Sequence, residues 1–163
     1  MWYMAEKNTE FKITFTRCKA GWIDFDVSYG DETISYPFTY IWHSPGDLLR
    51  FAQRVYRDNK GILNCDAEGW DWYFEYDGTY LTISDTYHYD DENPDGEKIT
   101  RFTIPIDKDT LCKTIYLSII TFQKSGIYIP EEWERTEFGG YCGEPVMKLK
   151  SKLFDKLFQL QVE

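Results

Sequence analysis

Carboxylates, two histidines and four thiols are the side chains of this sequence best suited to act on a substrate or hold a metal. Asp24 and Asp26 stand two residues apart, a spacing that puts both on one face of a strand. Paired carboxylates bind divalent cations or exchange protons. These two occupy the polar side of an alternating strand, which reads as a solvated face. His88 lies in Tyr87-His88-Tyr89-Asp90-Asp91-Glu92, where neighbouring carboxylates make it a candidate general base or metal ligand. No serine or cysteine in a nucleophile-elbow context partners it, and turn residues mixed with charge read as a surface loop. His43 directly precedes a helix start and reads as locally structural. Cys18, Cys65, Cys112 and Cys142 contain no C-x-x-C pair, so the ligand spacing of a zinc site is missing. Neither G-x-x-x-x-G-K-[ST] nor a strand-borne G-x-G-x-x-G occurs to cradle phosphate. The sequence therefore assigns no catalytic residue, no metal ligand and no cofactor.

One constellation points to recognition instead. The segment 85–97 carries Asp85, Asp90, Asp91, Glu92, Asp95 and Glu97 around Tyr87 and Tyr89. A second stretch carries Glu131, Glu132, Trp133, Glu134, Glu137, Phe138 and Tyr141. Carboxylates steer a cationic partner and aromatic rings anchor it. The expected partner-binding residues are thus Asp85, Tyr87, Tyr89, Asp90, Asp91, Glu92, Glu131, Glu132, Trp133 and Glu134. With 28 acidic against 18 basic residues the formal charge is -10. Such a balance repels phosphate and anionic lipid, so neither nucleic acid nor a membrane is the expected partner, and a basic protein is.

The elements that must position these residues follow from periodicity. Phe11, Ile13 and Phe15 alternate with polar residues, as do Ile23, Phe25, Val27 and Tyr29, and Ile34, Tyr36, Phe38 and Tyr40. Pro37 lacks a ladder donor and makes the third strand either an edge strand or irregular at that residue. Ser44 as N-cap, Pro45 at N1 and Asp47 at N3 open a helix that Asn59-Lys60-Gly61 closes. Strands resume at Trp70–Tyr76, Leu81–Ile83 and Thr100–Ile106. Asp107 or Asp109 caps a buried helix running to about Lys124, and Pro145 opens a last helix through Leu160. The last helix and the tryptophans Trp22, Trp42, Trp70 and Trp72 read as packing on the core. The expected fold is α+β: one domain over 1–163, a mostly antiparallel sheet of six to seven strands, one helix after the third strand and two C-terminal helices.

Gly21-Trp22-Ile23-Asp24-Phe25-Asp26-Val27, then Ser35-Tyr36 and Ser44-Pro45-Gly46-Asp47-Leu48-Leu49, resemble a pattern of small uncharacterised bacterial α+β proteins, many of which look like immunity proteins of toxin systems. The similarity covers roughly the first third of the chain and carries no site residue over. It implies a non-catalytic, stoichiometric protein that neutralises a toxin, and a basic toxin suits an acidic surface. The start of the chain has neither a basic n-region nor an apolar h-region, and the cysteines read as reduced thiols, so a cytoplasmic protein is expected. Two other readings stand beside it: a metal-binding or hydrolytic domain using surface carboxylates and His88, and a structural or oligomerisation subunit that meets its neighbour through the last helix or the Pro37 strand.

Overall fold

The computed structural model describes residues 10–86, 96–136 and 140–160. Strands β1 (Phe11–Lys19), β2 (Trp22–Tyr29) and β3 (Glu32–Thr39) form an antiparallel meander in that order. Their alternation drives Phe11, Ile13, Phe15, Ile23, Phe25, Val27, Tyr36 and Phe38 to one buried face. The period slips once in β1. Phe15 faces Phe25 and Arg17 faces Asp24, which leaves Thr16 as an extra residue. Without that bulge Arg17 would point into the core. With it Arg17 stays outside, 3.7 Å from Asp24, and Cys18 turns inward. Pro37 sits on an edge strand, as expected, opposite Asp24.

Helix α1 (Pro45–Asp58) begins where its sequence signals place it. The Ser44 hydroxyl accepts from the Gly46 amide, and Asp47 closes the capping box by accepting from the Ser44 amide at 2.9 Å. Asn59 ends the helix in the left-handed conformation at φ 55. The chain then enters a second antiparallel sheet, β4 (Gly61–Asp66), β5 (Asp71–Tyr76), β6 (Tyr80–Asp85) and β7 (Ile99–Pro105), in sequential order. Strand β4 was not expected from the sequence. It buries only Leu63 and Cys65 and leaves Ile62 exposed.

The seven strands thus form two sheets rather than the expected one, because α1 carries the chain away from β3 to a new hairpin system. Helix α2 (Lys108–Lys124), capped by Asp107, packs along β1 and α1. Its Phe122 ring stacks on Phe15 at 4.5 Å. The short helix α3 (Pro130–Trp133) lies between the two C-terminal helices read from the sequence, where no element was expected. The expected last helix is broken into a 3-10 turn at Val146–Lys148 and helix α4 (Lys152–Leu157). At this break the Gln123 side-chain amide donates to the carbonyls of Val146, in the turn, and Leu149, just after it, at 2.8 and 2.7 Å. Ser151 then starts α4 by accepting from the Phe154 amide.

The two sheets meet through rings. Phe25 lies 5.3 Å from Trp72 and 6.4 Å from Phe74, and Tyr36 stacks on Trp72 at 5.4 Å. Trp72 satisfies its indole N–H on the Pro37 carbonyl at 2.9 Å, so a β3 carbonyl accepts a bond across the seam. Burying each such ring contributes on the order of 2–3 kcal/mol. No helix among the described residues is long and apolar enough to cross a membrane.

Candidate functional site

The acidic segment that follows α2 is built around Trp133. This ring is completely buried, and its indole N–H donates to the Glu144 carbonyl at 2.8 Å. The Gly143 amide returns a bond to the Trp133 carbonyl at 3.0 Å. Only glycine fits at 143, since a Cβ there would meet the Trp133 ring at 2.3 Å. The expectation that Trp133 anchors a partner is therefore corrected: it anchors its own segment, closing a loop between residues 133 and 144.

That segment also holds the β1–β2 turn. Ala20 and Gly21 both have positive φ, at 53 and 82. Their amides donate to the Glu132 carboxylate and the Glu132 carbonyl, each at 2.7 Å. Glu132 is half-buried in this role, so its carboxylate is a turn clamp. Glu134 accepts from the Tyr128 hydroxyl. Burial pushes that phenol's pKa up, and its bond to Glu134 adds to the shift. Of the carboxylates expected here to face a partner, Glu131 is exposed, whereas Glu132 and Glu134 are half-buried.

Beside this segment lies a fixed loop with apolar side chains turned outward. The Tyr40 amide donates to the Gly21 carbonyl at 2.9 Å, and the Tyr40 ring meets the Tyr141 ring edge-on at 5.5 Å. At the other end of the loop, Ser44 donates to the Glu144 carboxylate at 2.9 Å, and Arg50 braces the same carboxylate at 3.1 Å. Ile41 and Trp42 sit between these two anchors and are 42% and 58% exposed. Arg135 lies 5.9 Å over the Tyr141 ring. Sequence reasoning placed Trp42 in the core. Its position two residues beyond Tyr40, the last of the alternating residues, and two before the Ser44 helix cap was the available signal that it belongs to a loop.

The other candidates scatter. Asp85 is almost fully buried, which corrects its expected place on an outer contact surface. It accepts from the Tyr36 hydroxyl at 2.7 Å and from Arg101 Nε and Nη2 at 3.1 and 3.0 Å. Arg101 reaches it through a second bulge: Ile83 faces Phe102 and Ser84 faces Thr100, so Arg101 is the extra residue of β7. Burial and the neighbouring Asp85 push the Tyr36 phenol's pKa far up. Tyr87, Tyr89, Asp90, Asp91 and Glu92, together with His88, lie outside the described residues.

Asp24 and Asp26 do share one face, with Ser35 donating to Asp26 at 2.5 Å and Arg17 facing Asp24. Partial burial raises the Asp24 pKa, Arg17 opposes that, and Asp26 adds to it. His43 packs by the helix start, 3.6 Å from Asp47. Among the described residues no three His, Cys, Asp or Glu side chains gather as a metal site would require. Cys18, Cys65 and Cys112 are buried free thiols, and Cys142 is an exposed one. No protein-family model matches the chain, and neither a curated protein nor a solved structure matches it closely enough to lend it a family, a fold or a function.

Proposed function

We propose that the protein is a non-catalytic binding module for a basic protein, of the immunity type, acting in the cytoplasm by stoichiometric capture. The contact surface is the end of the molecule that presents Ile41, Trp42, Tyr141, Arg135 and Glu131. The observation that carries this reading is Trp42, a large ring 58% exposed on a loop tied down at both ends. Exposing an indole forgoes a large burial gain, and holding it rigid lowers the entropy lost when a partner covers it. Tryptophan, tyrosine and arginine are also the residue types that dominate binding energy at protein interfaces.

Charge supplies the choice of partner. The segment 129–144 carries Glu131, Glu132, Glu134, Glu137 and Glu144 against the single cation Arg135, within a chain of net charge -10. Such a field speeds the approach of a cationic surface and slows that of an anionic one. A basic toxin domain, whose own substrate is anionic, is a partner of this chemistry. The four cysteines are unpaired thiols, which suits a reducing compartment.

The test is capture of a basic partner from the native host by the wild-type chain, identification of that partner, and titration against Trp42→Ala and Glu131→Gln. Trp42→Ala should weaken the complex by about 2 kcal/mol or more, roughly thirtyfold, while leaving the unfolding midpoint unchanged. Glu131→Gln should slow association and reduce its salt dependence. Equal affinity of Trp42→Ala and wild type for the identified partner would remove this surface from the proposal.

A further inference from the structure

At the seam between the sheets, away from Trp42, a cleft of about 360 Å³ opens beside the Tyr36–Asp85–Arg101 network. Ile34, Tyr36, Trp70, Asp85 and Arg101 line it. Its volume falls in the range that holds a small organic molecule. Asp85 is the buried foundation, with its side chain 2% exposed, whereas the Arg101 side chain is 21% exposed and reaches from Asp85 to the cleft. A guanidinium has five N–H donors on a planar fork. Asp85 takes Nε and one hydrogen of Nη2. Arg101 also lines the cleft, and its remaining donors, Nη1 and the second Nη2 hydrogen, lie on the edge of the fork away from Asp85. Trp70 supplies a half-buried aromatic wall, 6.0 Å from the Tyr36 ring.

A purely structural role explains these features poorly. Apolar side chains of similar volume would join two sheets as well as, or better than, a buried ion pair. Here the chain interrupts the β6–β7 ladder with a bulge whose extra residue is Arg101. Bulges recur where a side chain must be re-aimed. We infer that this cleft binds a small aromatic carboxylate, its carboxylate on the outer edge of Arg101 and its ring against Trp70. Asp85 orients the fork and cancels most of its charge, so a bare inorganic anion is held weakly, and ring and carboxylate are needed together. This inference does not rest on the protein-binding reading.

The probe is 2-naphthoate, titrated calorimetrically into the full chain, beside acetate and 2-naphthalenemethanol. Saturable one-to-one binding of naphthoate is expected, with acetate and the uncharged alcohol each weaker by about tenfold or more, the worth of a charge-assisted hydrogen bond or of a stacked ring. Arg101→Gln and Trp70→Ala should each reduce naphthoate affinity by a similar factor. Circular dichroism and melting confirm that the variants are folded. If Arg101→Gln fails to fold, because Asp85 has lost its partner, Trp70→Ala decides. No saturable binding to the wild type overturns the inference, as does naphthoate affinity unchanged in the folded variants.

Discussion

Tyr36, Asp85 and Arg101 join β3 of one sheet to β6 and β7 of the other, and three donors converge on one carboxylate. The parts of such a network are not equivalent. Removing the cation leaves a carboxylate buried without its counter-charge, whereas removing the phenol leaves it still paired. We therefore expect Arg101→Leu to lower the unfolding free energy by about 3–5 kcal/mol and Tyr36→Phe by about 1–2 kcal/mol, measured by urea denaturation. The double variant should lose less than the sum, since both residues serve the same acceptor. Equal losses for the two single variants would show that Arg101 is no counter-ion to Asp85. The sequence assigned Asp85 to a surface loop because it opens a run of acidic residues. What it does not display is the partner, since Tyr36 and Arg101 lie 49 and 16 positions away. Trp133 was misplaced for the same reason: glutamates flank it, and the carbonyl that accepts from its indole is eleven residues downstream.

The order and type of most elements could be read directly, because one rule governs each. Alternation set β1, β2, β3, β5 and β7, and the Ser44-Pro45-Gly46-Asp47 start and Asn59 stop set α1. The failures occur where distant side chains act on the backbone. The last helix divides because Gln123, on α2, takes two carbonyls that a continuous helix would use. Both bulges are likewise invisible to a strict period of two. The β1 bulge keeps Arg17 out of the core, whereas the β7 bulge turns Arg101 toward the buried Asp85. Strand β4 has a weak sequence signal because only two of its six residues are buried. The α1 start can be tested at its cap. Ser44 serves twice, accepting from the Gly46 amide and donating to Glu144. Ser44→Ala should therefore lower stability by about 1–2 kcal/mol, toward the upper end for a cap, with the unfolding midpoint in urea as the measure. A loss below about 0.3 kcal/mol would mean that the Asp47 half of the capping box is sufficient alone.

The chain as a whole carries a large negative charge outside and a set of neutral acids inside, and pH separates the two. Burial pushes the Cys65 thiol up and Cys112 up to about 12, and it pushes the phenols of Tyr36 and Tyr128 up and Tyr116 up to about 12. In the unfolded chain these groups ionise at their ordinary values, near 9 for thiols and 10 for phenols. A folded pKa above the unfolded one means that the native state keeps its proton where the unfolded state has lost it. Stability from these groups is therefore complete below about pH 9 and falls as pH rises beyond it. Each group that ionises only on unfolding steepens the fall by about 1.4 kcal/mol per pH unit. Between pH 9 and 11 the urea midpoint should drop steadily, and tyrosinate absorbance at 295 nm should show a late step that coincides with loss of the fold. The wider charge adds to the same trend, because deprotonating surface lysines makes an already anionic globule more self-repulsive. A flat midpoint to pH 11, with every tyrosine titrating near 10, would mean that water reaches Tyr36, Tyr116 and Tyr128. The sheet seam and the Tyr116 contact with α4 would then be looser than their bonds imply.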